Sequence, residues 1–249
     1  NGAVVTVGQG RQTVGALSFD GGTLSFGQVT PGQTTTANTV NTVDTLDIGG
    51  AGSVQIDVSG LVNNDRPNVN ADKPLLQQDN GNTLIQLAGS DGTVLGNGGS
   101  LALIDQNGNL ISDSVIHAIA QNGQTVASAT YDYRLSAGDN NDGLYVSYGL
   151  TEVALQGQGA DALLLDAAGA TGNSADLSAK ITGAGDLAID TGVGQTVTLS
   201  NLHNDYQGVT DLRSGGLAML NDGVLGNTSL LQLAQDTVFD MNGYRQTGG

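Results

Sequence analysis

Carboxylates are the most numerous reactive side chains in this sequence, so the first question is whether two of them could cleave a glycan. The chain carries 24 acidic residues, and all of them except Glu152 are aspartates. Glycoside cleavage needs two carboxyl groups that converge on one face. Asp186 and Asp190 flank a short predicted strand and do not share a face cleanly. Pairs between neighbouring coils, such as Asp211 with Asp240, are not visible in a sequence.

Metal binding is the second chemistry that these residue types suggest. The segment Asp139-Asn140-Asn141-Asp142-Gly143 has the composition of a calcium loop. An EF-hand loop requires an acid at its first position, where Gly138 stands, and a later glutamate, so we interpret the segment as the tip of a hairpin. His117 and His203 are far apart in the sequence, and cysteine is absent. We therefore predict no catalytic, cofactor-binding or metal-binding residue, and a chain that is not an enzyme.

The overall composition excludes several other classes of function. Glycine accounts for 39 of the 249 residues, only seven residues are basic, and the formal net charge is −17. Nucleic-acid binding depends on basic side chains that neutralise phosphates, so nucleic acid is not an expected partner. Abundant Gly, Asp, Asn and Thr disfavour helices. The apolar runs are too short for a membrane-spanning helix, and we expect no direct insertion into a membrane.

Apolar and polar residues alternate in many short segments, which places two or three apolar side chains on one face of a strand. Pairs such as Asn122-Gly123 and Asn242-Gly243 separate these segments and favour tight turns. Strands this short, in a chain with six tyrosines, three phenylalanines and no tryptophan, favour stacked coils over a sandwich or a closed barrel. The sequence therefore predicts an all-β fold, and within that class a parallel β-helix. The alternating segments are Leu24-x-Phe26, Leu46-x-Ile48, Val54-x-Ile56-x-Val58, Leu101-x-Leu103, Leu187-x-Ile189, Val197-x-Leu199, Leu217-x-Met219, Leu231-x-Leu233 and Phe239-x-Met241.

Two segments interrupt the expected coils. Residues 61–82 are polar and contain Pro67 and Pro74, which predicts a loop extruded from the stack. Residues 131–148 hold four of the six tyrosines on either side of a polar centre, and this pattern predicts a β-hairpin. The rest of residues 1–249 is predicted to form one continuous β-helical segment.

A short internal repeat links the two ends of the sequence. Val5-x-Val7 followed by Arg11-Gln12-Thr13 matches Phe239-x-Met241 followed by Arg245-Gln246-Thr247 at an offset of 234 positions. Such a match is typical of a stack built by duplication. The sequence begins with Asn1 rather than methionine, and we expect it to be a piece of a longer exported protein.

The last third of the sequence resembles the passenger-associated repeat of bacterial autotransporters over about 50 residues. The resemblance begins at Leu199-Ser200-Asn201 and continues through Asn204-Asp205-Tyr206 to the end of the chain. Residues 131–155, which include Leu144-Tyr145-Val146-Ser147-Tyr148, are similar to the C-terminal passenger region of AIDA-type adhesins. The residues that carry the repeat motif are Tyr206, Gly208, Thr210, Gly216, Leu217, Leu225, Gly226, Asn242, Gly243, Gln246 and Thr247.

The resemblance implies a fold, a location and a role. It implies a right-handed β-helix exported through the periplasm and the outer membrane to the bacterial cell surface, with a C-terminal outer-membrane β-barrel of the same polypeptide as its partner. It also implies that residues 160–249 act as an autochaperone region, and that the chain supports adhesion and self-aggregation with like molecules or host ligands. The alternative is a β-helical glycan-active enzyme or glycan-binding module, which would need a groove of acids and aromatics.

Overall fold

The computed structural model describes residues 3–29, 35–57, 66–79 and 81–247, and almost all of its regular structure is β-strand. The first eight strands are β1 (Val4–Thr6), β2 (Arg11–Ser18), β3 (Thr23–Gln28), β4 (Thr35–Asp47), β5 (Gly52–Asp57), β6 (Asn82–Ser90), β7 (Thr93–Leu95) and β8 (Leu101–Ile104). They are followed by β9 (Val115–Gln121), β10 (Gln124–Ser136) and β11 (Gly143–Leu155). The last nine are β12 (Leu163–Leu165), β13 (Ser174–Leu177), β14 (Lys180–Gly183), β15 (Leu187–Asp190), β16 (Thr196–Leu199), β17 (Val209–Ser214), β18 (Gly216–Met219), β19 (Leu230–Leu233) and β20 (Val238–Asp240). Single 3₁₀ turns span Leu75–Gln77, Gly159–Asp161 and Thr171–Asn173. The prediction of an all-β fold is confirmed.

The chain divides into two compact units. Unit 1 comprises Asn1–Val69, Asn80–Ser114 and Asp132–Gly149, and unit 2 comprises Asn70–Asp79, Val115–Tyr131 and Leu150–Gly249. In the described ranges, no helix combines the length and the apolar character that crossing a bilayer requires.

Unit 1 is built from two sheets of mainly parallel strands. One sheet has the order β1–β3–β5–β8, and the other has the order β2–β4–β6–β11 with β7 also paired to β4. Alternate side chains point to the interior, where Phe26, Leu46 and Ile56 have no solvent exposure. The register shifts within the β2–β4, β3–β5, β4–β6 and β6–β11 pairs. In the β2–β4 and β3–β5 pairs one strand has one extra residue at the shift, as in a β-bulge, which bends the strand.

Unit 2 contains a regular stack of parallel strands in two sheets, ordered β12–β15–β17–β19 and β13–β16–β18–β20. We call each consecutive pair of strands, one in each sheet, a rung, so that the four rungs are β12/β13, β15/β16, β17/β18 and β19/β20. Directly paired residues in successive rungs lie 20 to 24 positions apart in the sequence. The stack has one register shift, between Ile189 and Asp190.

The interior of this stack consists of columns of similar side chains. Leu177, Leu199 and Met219 occupy successive paired positions, and none of the three has solvent exposure. This arrangement explains why short strands suffice, because each inward side chain packs on its equivalents above and below. Within the residues that the structure describes, the β19/β20 rung pairs on one side, and its Leu230 and Val238 are 52% and 65% exposed.

A second element of unit 2 is the antiparallel pair β9 and β10, joined by the turn at Asn122-Gly123. Both turn residues have positive φ, 52° and 77°, which matches the type I′ turn favoured by this dipeptide. Strand β11 carries β14 as a parallel partner from Glu152 and Lys180 onward.

The strands coincide with most of the alternating segments. Leu24-x-Phe26 lies in β3, Leu217-x-Met219 in β18 and Leu231-x-Leu233 in β19, whereas Ile48 and Met241 fall just past their strands. Val58 lies outside the described residues. Alternation alone therefore predicted the positions of nine of the twenty strands in the described residues.

The two interrupting segments remain predictions as folding elements. Residues 61–65 and 80 of the expected loop at 61–82 lie outside the described residues, and the rest includes the 3₁₀ turn Leu75–Gln77. Around the expected hairpin at 131–148, β10 and β11 are sheet neighbours. Backbone N–H groups of Asp142 and Gly143 donate to the carbonyl of Ala137 at the tip.

The two copies of the short repeat, at the start and the end of the sequence, have partly equivalent secondary structure. The strand of the first copy is β1 and that of the second is β20, each three residues long. Arg11-Gln12-Thr13 opens β2, whereas Arg245-Gln246-Thr247 lies outside the strands.

Candidate functional site: the repeat motif of unit 2

Tyr206 begins a chain of hydrogen-bonded hydroxyl groups. Its side chain has no solvent exposure, and its hydroxyl lies 2.5 Å from Oγ1 of Thr210. Thr210 Oγ1 lies 2.8 Å from Oγ1 of Thr228, which donates to the carbonyl of Gly208 at 2.6 Å. Burial raises the pKa of the Tyr206 phenol, since its anion would lose hydration; the bonds to Thr210 and Thr228 act in the opposite direction. The phenol is therefore a structural hydrogen-bonding group between rungs.

Three motif glycines allow the backbone to approach its neighbours closely. A Cβ atom on Gly208 would lie 1.9 Å from the carbonyl oxygen of Gly185. On Gly226 it would lie 2.9 Å from the backbone nitrogen of Tyr206, and Gly226 also has a φ of +56°. On Gly216 it would meet Oγ1 of Thr196 at 3.0 Å. Gly208 therefore has the tightest requirement for the absence of a side chain.

The last turn of the motif is fastened to the preceding one by Gln246. Its Oε1 accepts the backbone N–H of Leu225 at 2.9 Å, and its Nε2 donates to the carbonyl of Gly226 at 3.0 Å. The same Nε2 group donates to the carbonyl of Thr247 at 3.2 Å. Leu225 is 2% exposed, so the side chain of Gln246 satisfies the backbone beside a buried leucine.

The other motif residues lie on the second sheet or at its turns. Leu217 is 1% exposed and pairs with Val197 and Phe239. Asn242 adopts a φ of 51° and Gly243 a φ of 79°, as expected for a tight turn. A Cβ on Gly243 would meet no atom within 4 Å, so this glycine serves the turn rather than a close approach.

A column of asparagines was not recognised as a set from the sequence. The Nδ2 groups of Asn201, Asn221 and Asn242 donate to the carbonyls of Ser178, Ser200 and Met219, respectively, at 2.9, 3.2 and 3.1 Å. Each bond reaches back 21 to 23 positions, to the preceding rung. The sequence does contain a pattern that could have identified the set, since each asparagine stands two positions after the last residue of a strand.

Asn204 bridges three levels of the stack. Its Oδ1 accepts the backbone N–H of Ile181 at 2.7 Å, and its Nδ2 donates to the carbonyl of Val224 at 2.9 Å. The residue is 7% exposed. A buried amide that satisfies backbone groups on both sides fixes the register of both.

The aspartates considered for glycan cleavage are occupied by structural donors. Asp186 accepts the backbone N–H groups of Gly159 and Val209 at 2.8 and 2.7 Å. Asp190 accepts the hydroxyl of Ser214 at 2.6 Å. Asp211 lies in β17 and Asp240 in β20, which belong to different sheets, so the structure does not bring these two residues into one paired column.

The histidines and the acidic tip complete the set of candidate residues. His117 lies in β9 with its ring edge-to-face against Tyr131, at a centroid distance of 5.7 Å. The backbone N–H of His203 donates to Oδ1 of Asn201 at 2.8 Å. At the tip, Asp142 accepts the hydroxyl of Tyr145 at 2.6 Å. In the part of the chain that the structure describes, no three His, Cys, Asp or Glu residues form a cluster that could hold a metal ion.

Comparison with known proteins places this chain beside two uncharacterized bacterial proteins. It is 48% identical over its whole length to the uncharacterized protein YuaQ of Escherichia coli strain K12, and it covers 18% of that protein. It is 39% identical over 96% of its length to the uncharacterized lipoprotein YdeK of the same strain, covering 19% of it. The chain therefore spans about a fifth of the length of the curated relatives it matches. No family model matches the chain, and no solved structure does.

Proposed function

We propose that this chain is a right-handed parallel β-helical segment of a surface-exposed, AIDA-type autotransporter passenger. In this proposal it forms a structural stalk that supports adhesion and self-aggregation, and its residues 160–249 promote folding of the passenger during secretion. The C-terminal outer-membrane β-barrel of the same polypeptide is its partner.

The observation that carries the proposal is the stack of four rungs in unit 2. Its parallel pairs repeat every 20 to 24 residues in two sheets at once, which is the arrangement expected of coils wound around a common interior. Connections between parallel strands of one sheet are right-handed in the great majority of proteins, and this rule favours a right-handed winding. The residues of the repeat motif lie in these rungs and in the connections between them, where Tyr206 and Gln246 make hydrogen bonds.

A folding role fits the direction of the side-chain bonds. The amides of Asn201, Asn221 and Asn242 each reach back to the preceding rung. A rung that is already folded therefore offers both backbone and side-chain partners to the next one, as in other repeat proteins where each unit contacts its neighbours.

A location in the cell envelope fits the name of one relative. YdeK is called a lipoprotein, and lipid anchors attach proteins to membranes. The absence of cysteine from this sequence suits passage through an oxidising compartment. Export to the cell surface is the further step that the proposal adds.

The decisive experiment compares the full-length parent protein in bacteria with and without residues 160–249. Surface display is measured by antibody labelling and protease accessibility of intact cells, and clumping is measured in the same cultures. We expect the deletion variant to reach the surface in smaller amount or in a protease-sensitive form. Normal display of a protease-resistant passenger would contradict the folding role, and the clumping score would then separate an adhesive face from a spacer.

A point substitution is needed beside the deletion, because removing residues 160–249 could impair display simply by its size. Gly208→Ala introduces a Cβ atom that would lie 1.9 Å from the carbonyl oxygen of Gly185, whereas Gly194→Ala introduces one with no atom within 4 Å and meets only the cost of a φ of +79°. Both glycines belong to unit 2. We expect Gly208→Ala to reproduce the display defect and Gly194→Ala to have a smaller effect.

A further inference from the structure

Strand β9 is an edge strand of unit 2 with an unpaired side. Its seven residues pair with β10, and no other described strand lies along its second edge. Every residue of β9 is half-buried or exposed, and Ile116 is 68% exposed. In an antiparallel pair, alternate residues direct their N–H and C=O groups away from the partner. β9 therefore offers backbone donors and acceptors at strand spacing.

Strand β9 also lines a cavity of about 460 Å³. Five consecutive residues of β9, from His117 to Gln121, contribute to the lining, together with Ala129 and Tyr131 of β10 and the segment from Ala71 to Leu76. All of its lining residues belong to unit 2. The volume lies within the range of ordinary ligand pockets, and the continuous strand along one wall sets the chemistry that a ligand must match.

The segment of residues 71–76 that lines the cavity is held in place by buried polar contacts. The hydroxyl of Tyr131, which is 2% exposed, donates to Oε1 of Gln78 at 2.5 Å. Nε2 of Gln78 donates in turn to the carbonyl of Lys73 at 2.5 Å. These bonds attach the segment of residues 71–76 to β10, so the cavity exists before any ligand arrives and little ordering is needed on binding.

One contact in the cavity already reproduces the pairing of an added strand. The side-chain amide of Gln121 accepts the backbone N–H of Leu164 at 2.9 Å and donates to its carbonyl at 3.1 Å. Leu164 and Leu165 line the cavity at this end. The reciprocal amide bonds close the end of the groove and leave the stretch from His117 to Ala120 for another backbone.

The charges around the groove favour some polypeptide ligands over others. Asp72 and Asp166 line the cavity and are exposed, with Lys73 as the one basic residue of the lining. The whole chain carries a net charge of −17, so a second copy would be repelled at low ionic strength. Ala118, Ile119 and Pro74 supply apolar surface between these charges.

We propose that the groove along β9 binds an extended, non-acidic polypeptide segment of a partner protein by strand addition. The main chain of the segment pairs with the open edge of β9, and its alternate apolar side chains enter the cavity. Basic residues on its flanks face Asp72 and Asp166. This interaction goes beyond the stalk and folding roles proposed above.

The test uses the 249-residue chain and a synthetic probe peptide, acetyl-Lys-Val-Thr-Val-Thr-Val-Lys-amide. Binding is measured by calorimetric titration, and backbone hydrogen exchange locates the bound edge. We expect saturation below about 1 mM and slower exchange of the amides in residues 115–121. The same peptide with N-methyl groups on its five central residues lacks the main-chain N–H donors of those residues, and we expect it to bind at least tenfold more weakly.

Two substitutions and a matched control separate the groove from the rest of the surface. Ala118→Arg places a bulky cation in the groove and is expected to weaken binding at least tenfold, whereas Val193→Arg adds the same side chain at a fully exposed turn outside the cavity. Asp72→Lys keeps the strand intact and is expected to weaken binding several-fold and to reduce its salt dependence. Circular dichroism and thermal unfolding establish that each variant is folded.

Several results would overturn the proposal. Equal binding of the N-methylated peptide, or unchanged binding by both Ala118→Arg and Asp72→Lys, would exclude strand addition in the groove. The peptide would bind at a different strand edge if hydrogen exchange slowed only in β1, β2, β19 or β20. The last measurement is analytical sedimentation of the chain alone. If the chain self-associates and Ala118→Arg abolishes this association, the groove binds a second copy of the chain instead of a partner protein.

Discussion

The two units use parallel strands in different ways, and the difference lies in their registers. In unit 1, successive partners are separated by unequal lengths of chain: Val4 pairs with Thr23, which pairs with Ser53, whereas Gly52 pairs with Leu101. In the stack of unit 2 the separation stays between 20 and 24 positions. Register shifts are frequent in the first case and occur once in the second.

Side-chain hydrogen bonds account for this difference. Unit 2 has asparagines at equivalent places in successive rungs, and Asn204 binds the backbone on two sides. Contacts of this kind in unit 1 are more isolated, such as the bond from Gln55 Nε2 to the carbonyl of Asp105 at 3.1 Å. A repeated polar contact specifies one register strongly, because a slip by one residue would leave each amide without its partner. Regularity in unit 2 is therefore encoded by polar residues at least as much as by leucines.

The largest expected effect comes from two glycines with almost the same clash. A Cβ on Gly208 would lie 1.9 Å from the carbonyl oxygen of Gly185, and one on Gly92 would lie 2.0 Å from that of Asp44. Gly208 is buried in the regular stack, whereas Gly92 lies in an exposed turn of unit 1. We expect Gly208→Ala to lower the free energy of unfolding of its unit by about 4 kcal/mol and Gly92→Ala by about 2 kcal/mol. Hydrogen exchange of the slowest amides in each unit measures both values.

This comparison of glycines can fail in an informative way. Equal losses would mean that the irregular unit is as rigid as the regular one, and the contrast between the units would then concern sequence spacing alone. Gly194→Ala serves as a control for the cost of positive φ without a clash, since its φ is +79° and no atom lies within 4 Å of a Cβ there.

An intermediate effect is expected for the bridging asparagine. Asn204→Ala leaves the N–H of Ile181 and the carbonyl of Val224 without their partner inside the protein, and each unsatisfied buried group costs about 1–3 kcal/mol. We expect a loss of about 3 kcal/mol in unit 2. Gln55→Ala in unit 1 removes one bond at a half-buried position and should cost about 1 kcal/mol. Urea unfolding monitored separately for each unit would contradict the proposed role of the asparagines if the two losses were the same.

The smallest expected effect concerns the decrease in the free energy of unfolding of unit 1 at alkaline pH. Burial raises the pKa of Tyr145 to about 12, and the hydrogen bond to Asp142 and the nearby charge of Asp139 act in the same direction. The unfolded phenol, with its ordinary pKa of 10.0, loses its proton first. The contribution of Tyr145 is therefore complete below pH 10 and is lost as the pH rises from 10 to 12.

Tyr145→Phe tests this assignment. We expect a loss of about 0.5 kcal/mol at pH 7 from the missing hydrogen bond, together with a shallower decline of stability between pH 10 and pH 12. Tyr244→Phe, at a tyrosine that is 37% exposed, is the matched control and should leave that decline unchanged. An unaltered alkaline decline in Tyr145→Phe would assign it to other groups.

Local patterns predicted the fold class and many strands, because alternation and turn chemistry act over a few residues. Asn122-Gly123 and Asn242-Gly243 adopt the positive φ values that such pairs favour, and β18 coincides with its alternating segment. The same reasoning did not predict the lengths of β4, β10 and β11, which have 13 residues each. Their length depends on partners far away in the sequence, which no local pattern reveals.

The candidate site was predictable to a similar degree. The resemblance singled out Tyr206, Gly208 and Gln246, which make contacts between rungs. It did not reveal that Asp186 serves backbone N–H groups, because the donors lie on either side of it at distances of 23 and 27 positions. The groove along β9 was equally hidden, since its two walls are more than 40 positions apart in the sequence.

The direction of the hydrogen bonds in the stack of unit 2 has a mechanical consequence. Strands in parallel sheets bond to their neighbours in the direction of stacking, so tension applied along that direction loads one interface between rungs at a time. Under such a pull, the rungs would detach one at a time, each releasing 20 to 24 residues or roughly 75 Å of extended chain. Unit 2 would then lengthen in steps of nearly equal size and dissipate work at each one, as an extensible tether does.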